Sequence, residues 1–321
     1  MTEMMRAVGF THFGDPSVLH LVTVPKPVPG PGQVLVKVAA ATVNPTDLGF
    51  RAGGRALPPG VEPPYIAGMD LAGVIDAVGP DVAGPDGAGW RAGDRVMGAV
   101  SATVPGGGAQ AEYVAVAEDQ LARVPDGWSL VEAATLPMNG LTVRNALDLL
   151  ALGHGATLAI TGSAGIVGQF AIQLGRHEGL TVIGDAAPAD VELIESFGAN
   201  RVVPRGVGTE DGIREIYPDG VDAIIDAALL GPAVIGAVRD GGQFLAVRPY
   251  QGDEPGRGIA VHLILVGNHL HEGHRIAELA DLVGKGVLTL RVAEVLPADH
   301  APEAHRRLAA GGVRGRIVLT F

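Results

Sequence analysis

Cysteine is missing from the sequence altogether. Its absence excludes a disulfide framework and every thiolate metal site, from four-cysteine zinc lobes to cysteine-containing catalytic zinc centres. Aromatic residues make up only 4% of the chain, which leaves no stacking platform for nucleic-acid bases. Positive charge is also scarce: 23 Lys and Arg stand against 35 Asp and Glu, and a formal net charge of -12 repels nucleic acid and anionic membrane surfaces. No long apolar run marks a membrane span or a signal peptide, and residues 1–10 carry Glu3 and Arg6 and move straight into strand-like sequence. The expectation is a cytoplasmic protein with neither nucleic acid nor membrane as partner.

What the chain does have is length, glycine and ordered apolar runs. Its 321 residues suffice for two domains with a core each, and 48 Gly and 23 Pro among 47% hydrophobic residues describe a turn-rich folded enzyme. The first third reads as short strands between Pro and Gly turns, such as 34–38 after Pro29-Gly30-Pro31-Gly32 and 72–78 before Gly79-Pro80. The Gly-, Pro- and Asp-rich stretch 79–93 reads as a surface loop. From about residue 130 the pattern changes to a helical stretch at 133–152, followed by strands alternating with helices. Apolar runs at 156–161, 180–184, 221–225 and 242–247 look like buried parallel strands, with a further strand at 259–266. The tail offers helices at 275–283 and 302–310 around a short strand, then a closing strand at 316–321 that needs a sheet edge in the first domain. The fold class is therefore α/β: a mostly β domain from residues 1–122 and 268–321, and a doubly wound parallel sheet of the Rossmann type from residues 123–267.

The strongest chemical signal follows the run Leu158-Ala159-Ile160-Thr161. There Gly162-Ser163-Ala164-Gly165-Ile166-Val167-Gly168 makes a small-residue turn into a helix at 169–176. Phosphate binding needs such a turn, because backbone N–H groups and the positive end of a helix dipole must reach a pyrophosphate without side chains in the way. Ser163 stands at the first position of the usual Gly-x-Gly-x-x-Gly pattern, so the assignment rests on the strand before it and the helix after it. Asp185 closes the next apolar run at the spacing of a carboxylate that accepts from ribose hydroxyls, which tilts the coenzyme towards NADH. Arg201 and Arg205 offer the opposite charge to a 2′-phosphate.

Collinear matches along nearly the whole chain resemble the zinc-free quinone oxidoreductase branch of the medium-chain dehydrogenase/reductases. They include Pro29-Gly30-Pro31-Gly32-Gln33-Val34, Val43-Asn44-Pro45-Thr46-Asp47, Gly68-Met69-Asp70-Leu71-Ala72-Gly73, Gly93-Asp94-Arg95-Val96, Gly140-Leu141-Thr142 and Gly315-Arg316-Ile317-Val318-Leu319. The resemblance implies a GroES-like (chaperonin-10-like) catalytic domain built from both chain ends, a central Rossmann domain, substrate in the cleft between them, hydride transfer from NAD(P)H with a family habit of NADPH, and a homodimer. It aligns Asn44, Met69 and Met138 with the zinc ligands of metal-dependent relatives, and an amide with two thioethers is a poor zinc site. Without a Lewis acid, alcohol oxidation loses its main stabilisation, whereas a quinone or an α,β-unsaturated carbonyl accepts hydride with modest hydrogen-bond help.

The residues implied are Asn44, whose amide would donate to a substrate oxygen or position the coenzyme, and Thr46, at the place of a proton-relay hydroxyl. Turn-forming beside Pro45 is the alternative for both. Thr142 would pack behind the nicotinamide, and Phe50, Arg55, Tyr65, Met69 and Met138 would line the cleft or serve as core. Quinone oxidoreductases carry tyrosines where this chain has Gly49 and Arg55, which suggests a larger or anionic acceptor and keeps open an enoyl reductase of polyketide or natural-product biosynthesis, or a dinucleotide-binding protein without catalysis. His262, His269, His271, Glu272 and His274 diverge too far for a metal site, and Thr161-Gly162-Ser163-Ala164-Gly165 is not a hydrolase nucleophile elbow.

Overall fold

The turn Pro29-Gly30-Pro31-Gly32 closes on a glycine at φ +70°, a left-handed conformation that favours glycine. It delivers the chain into a ten-residue strand, Gln33–Thr42. In the computed structural model, which describes residues 2–85 and 89–321, that strand organises the first of two units. This unit comprises Met1–Met138, Gly267–Asp281 and Leu290–Phe321, and the second comprises Asn139–Val266 and Leu282–Thr289.

The chain opens with β1 (Met4–Phe10), β2 (His20–Pro25), β3 (Gln33–Thr42), α1 (Pro45–Arg51), β4 (Tyr65–Ile66), β5 (Asp70–Val78), β6 (Arg95–Ala99), β7 (Tyr113–Ala117), β8 (Leu121–Arg123) and α2 (Leu130–Ala133). It continues through α3 (Pro137–Leu150), β9 (Thr157–Thr161), α4 (Ile166–His177), β10 (Thr181–Ala186), α5 (Val191–Ser196), β11 (Arg201–Pro204), α6 (Thr209–Ile216), β12 (Val221–Asp226), β13 (Val238–Ala246) and β14 (Ala260–Leu263). It ends with α7 (Gly273–Gly284), β15 (Val292–Pro297), α8 (Ala301–Ala310) and β16 (Arg316–Thr320).

In the first unit the main sheet runs β15-β16-β3-β5-β6-β8 with β7 also on β3, beside a small β2-β1-β4 sheet. Inward side chains of these strands, among them Val36, Val38, Leu71, Ile75, Val96 and Val114, form one buried apolar cluster. The closing strand does reach this unit, but β16 lies inside the sheet rather than on its edge, because β15 pairs parallel to its other side. The expected surface loop at 79–93 is only partly one. Residues 86–88 lie outside the described residues, while Trp90 is 4% exposed and packs into the core with the Arg123 guanidinium 4.7 Å over its ring.

In the second unit the strand order is β11-β10-β9-β12-β13-β14, with every pairing parallel. The order reverses between β9 and β12, the position where open α/β sheets form a ligand crevice at their carboxyl ends. Leu158, Ala159, Ile160, Val182, Ile183, Ile224 and Ile225 are almost completely buried, as strands covered on both faces require.

Two expectations are revised. The helical stretch expected at 133–152 is α3 alone, Pro137–Leu150, and Ala133 instead ends the separate α2, because Pro137 disfavours a helical conformation in the residue before it and opens α3 itself. The units divide at 138/139 rather than 122/123, since α2 packs on β3, β5 and β6. Residues 282–289 join the second unit through a glutamine clasp on α4: Gln173 donates to Thr289 Oγ1 at 2.7 Å and Gln169 to Thr289 O at 2.6 Å. Among the described residues no helix is long and apolar enough to cross a membrane.

Candidate functional site

In the second unit the turn after β9 has the form a pyrophosphate needs. Gly162 sits at φ +70°, and a Cβ at Gly168 would come within 2.5 Å of both Gly162 O and Ser163 Cα. Only glycine at 168 lets α4 approach the turn so closely. Gly165 caps α4 with extended backbone and no side-chain hydrogen bond, so the N–H groups of Ile166, Val167 and Gly168 stand in the helix's first turn at its positive end.

Ser163, the departure from the glycine pattern, turns out to be a brace. It is fully buried; its hydroxyl donates to Ile160 O at 2.9 Å and accepts the Asp185 N–H at 3.0 Å. Asp185 Oδ1 accepts the Ser163 N–H in return, at 2.8 Å. A Cβ at Gly184 would lie 3.0 Å from that hydroxyl, so glycine there gives the serine its room. The sequence placed Asp185 on a ribose; here its carboxylate, 4% exposed, ties β10 to the turn instead. Ala164 completes the turn, and Thr142 is 7% exposed on α3.

Asp226 escaped the sequence reading. It ends β12, accepts the Thr161 hydroxyl at 2.6 Å and the N–H groups of Leu230 and Gly231 at 3.0 and 2.8 Å, and so shapes the loop at the switch point. An acid closing the apolar run Ala223-Ile224-Ile225 was the available signal.

The first unit gathers Asn44, Thr46, Met69 and Met138 around two buried carboxylates. Asp70 Oδ2 accepts from Thr42 Oγ1 at 2.6 Å, Asn44 Nδ2 at 2.9 Å and Arg316 Nη2 at 2.8 Å, while its Oδ1 accepts the Met138 N–H at 2.6 Å. Asp47, in the first turn of α1, accepts the Asn44 N–H at 2.8 Å and the Gly68 N–H at 3.1 Å. Burial pushes the Asp47 carboxyl up to about 7, with the neighbouring Asp70 adding to the rise and the two N–H groups and Arg316 opposing it. Asn44 is itself fully buried, and its Oδ1 has no partner. Its amide hydrogens point to Asp70 and Thr42, so the expected donation to a substrate oxygen is not what this arrangement offers. Thr46 is half-buried and gives its hydroxyl proton to Met69 Sδ at 3.5 Å, a weak acceptor that holds it loosely.

The other cleft candidates separate. Phe50 and Tyr65 interlock with Phe10 and Phe13, Tyr65 stacking on Phe13 at 5.3 Å, so both serve the core. Arg55 lies on the exposed stretch after α1. The histidines scatter as well: His262 meets Gln243, His269 meets Glu272 and His271 meets Asp119. Among the described residues no group of three or more His, Asp or Glu is placed to hold a metal ion.

A family model described as an alcohol dehydrogenase GroES-like domain matches residues 30–126, and one described as a zinc-binding dehydrogenase matches residues 197–319. A chloroplastic quinone-oxidoreductase of Triphysaria versicolor is 32% identical over 241 residues, 70% of this chain and 69% of that protein. The chain belongs to the medium-chain dehydrogenase/reductase superfamily, in its quinone oxidoreductase-like branch.

Other relatives of this quinone oxidoreductase-like chain differ in extent. A 2-methylene-furan-3-one reductase of Solanum lycopersicum is 31% identical over 76% of this chain, which spans 62% of that enzyme. A pikromycin polyketide synthase component of Streptomyces venezuelae is 31% identical over 92% of this chain, which spans only 8% of it. Among solved structures, the quinone oxidoreductase of Coxiella burnetii matches with a TM-score of 0.85 at 29% identity, covering 99% of this chain and 100% of the other. A mycobacterial protein solved with NADPH matches with the same score, 0.85, at 28% identity and the same coverage, 99% and 100%.

Proposed function

We propose that this chain is a zinc-independent, NAD(P)H-dependent reductase that passes hydride to a quinone or an α,β-unsaturated carbonyl. The observation that carries the reading is the turn 162–168, whose glycines leave a helix N-terminus open to a pyrophosphate and whose close packing on α4 a Cβ at Gly168 would break. When bound, the reduced coenzyme supplies a hydride from C4 of its nicotinamide. The protein's own work is then to hold the coenzyme by the backbone of 165–168 and to stabilise the oxygen that becomes an enolate or phenolate. Thr46 suits the second task, because exchanging a thioether for an oxyanion strengthens its hydrogen bond. Asn44, Met69 and Met138 supply an amide and two thioethers, a donor set that does not favour zinc, so the acceptor must already be electrophilic.

NADPH is the coenzyme this reading prefers. Asp185 is engaged with the Ser163 N–H, and the exposed Arg205 follows β11 with its N–H bonded to Ala186 O at 3.0 Å, beside the carboxyl end of β10. A guanidinium there suits a 2′-phosphate. Arg205→Glu is expected to raise the NADPH KM by about 10-fold or more, the size of a lost charge-assisted contact, while leaving the NADH KM near its original value.

Gly49, one turn from Thr46 on α1, has open space where a Cβ would stand, which suits an acceptor larger than a simple quinone. Together with the polyketide synthase relative, it favours a second reading, reduction of an enoyl thioester. Turnover on quinones, free enones and enoyl thioesters ranks the two. We further propose a cytoplasmic homodimer. The decisive test titrates NADPH and NADH separately by fluorescence and follows their oxidation across that panel, with Gly165→Asp as control. Binding without turnover would leave a dinucleotide-binding protein, and Gly165→Asp with undiminished affinity would remove the turn from the site.

A further inference from the structure

The first unit buries an ion pair that the reading above leaves without a task. The Arg316 and Asp70 side chains are 6% and 0% exposed, and their atoms meet at 2.8 Å. Stability alone is a weak reason for such a pair, since apolar residues of similar volume often serve the interior as well or better. What the pair does is set directions. An ionised carboxylate only accepts hydrogen bonds, so Asp70 makes Asn44 turn its NH2 inward and its oxygen away. The same carboxylate takes the Met138 N–H in the first turn of α3, where a negative charge also complements the helix dipole. Thr42 links the parts, donating to Asp70 and receiving both Asn44 Nδ2, at 3.3 Å, and Arg316 Nη2. One anion thereby fixes Asn44, which precedes α1 and its Thr46, and the Met138 N–H in the opening turn of α3.

We infer that Arg316 and Asp70 are positioning residues for hydride transfer: Arg316 holds the Asp70 carboxylate, and through it the entrances of α1 and α3, in the orientation the reaction needs. The inference rests on the proposed reductase activity. It also accounts for a buried cation far along the chain, at the start of the last strand, β16, bonded to residues of two strands that precede it by 246 and 274 residues.

The test uses the full chain with Arg316→Met, Arg316→Lys and Thr42→Val, the last a nearly isosteric change that only removes the hydroxyl. Fluorescence titration with NADPH counts competent sites, so kcat is expressed per site that binds coenzyme. The deuterium isotope effect on kcat is measured with NADPH labelled at the transferred position. Arg316→Met should lower kcat per competent site by about 10- to 100-fold, the effect of small misplacements around a reacting centre. NADPH affinity should stay at its wild-type value and the isotope effect should rise as hydride transfer slows. Arg316→Lys should recover part of the rate, and Thr42→Val should fall between. A purely structural role would reduce the number of competent sites and leave kcat per site and the isotope effect unchanged, and that result overturns the inference. Should Arg316→Met fail to fold, the other two variants decide by the same criterion. A wild-type protein that binds NADPH yet reduces nothing overturns the proposed activity and this inference together, whereas active wild type with unaltered variants overturns this inference alone.

Discussion

His305 shows how a single side chain can set a limit on the protein. It is fully buried on α8, and neither ring nitrogen has a partner. Burial, with the nearby Arg51 charge, holds its pKa down from 6.5 to about 3. The unfolded chain therefore binds a proton that the folded chain refuses between those values, so this residue's share of stability is intact above pH 6.5 and is lost as pH falls towards 3. Asp47 acts with the opposite sign: its carboxyl is raised from 3.8 to about 7, so the folded chain holds the extra proton and stability from this group declines as pH rises through that window. His305→Leu removes two unsatisfied polar atoms and the proton site together. Its melting temperature should exceed wild type by a gap that is nearly constant above pH 7 and widens from about pH 6.5 down to pH 5; a gap independent of pH would mean that the folded and unfolded chains bind this proton alike, with the ring solvated in the fold. Residues of this kind were invisible in the sequence, as were the partners of Asp70. Gly315-Arg316 could be matched to a family pattern, but an ion pair spanning 246 residues leaves no trace in local spacing. Asp185 was legible as an acid at a strand end, not as a brace, because its direction depends on how β10 registers against the turn at Ser163.

At the level of elements, the dinucleotide turn was the most legible part of the site, since strand, small residues and helix start are all consecutive. Its glycines are nevertheless unequal. Gly165 has φ -78°, a conformation any residue adopts, and a Cβ there meets only Gly162 O at 3.2 Å. At Gly168 the added atom would strike two backbone atoms of the turn at 2.5 Å, which cannot retreat without moving β9 or α4. Gly165→Ala should thus keep the wild-type melting temperature within about 2 °C, as for a surface change of under half a kcal/mol, yet weaken NADPH binding by narrowing the space over α4. Gly168→Ala should lower both. Equal melting temperatures for the two variants would show that the α4 entrance yields more easily than its packing implies. The same scale explains the misplaced helix start: apolar periodicity ran back to 133, and the restriction that Pro137 imposes on Leu136 lets α3 open only at 137, after α2 has ended at Ala133. Strand starts were less legible than strand centres. β13 begins at Val238, earlier than the apolar run at 242 suggests, because exposed Arg239 and Asp240 belong to the strand without belonging to the core.

For the whole molecule, the question the sequence left open is association. A net charge of -12 makes two copies repel at long range, so any dimer must form through short-range apolar contact and backbone pairing. β14 supplies both: it is the outer strand of its sheet, pairing with β13 alone among the described strands. Val261, Leu263 and Leu265 stand at alternate positions with 39%, 39% and 46% of their surface exposed. An edge with free N–H and C=O groups and an apolar rim is a template for another strand, and in a symmetric dimer the partner would be the same edge of a second copy. Leu263→Lys places a solvated cation in that rim while reducing the overall negative charge, so the two effects oppose each other. If packing governs, the variant sediments as a monomer at micromolar concentration and still binds NADPH; if charge repulsion were the limiting factor, the variant would associate more tightly than wild type. Salt provides an independent check, because screening at 0.15 M shortens the reach of like charges to about 8 Å. If the proposed dimer forms through this edge, raising ionic strength should strengthen it and leave Leu263→Lys monomeric, and a dimer that survives the substitution at every salt concentration would assign association to a different face of the chain.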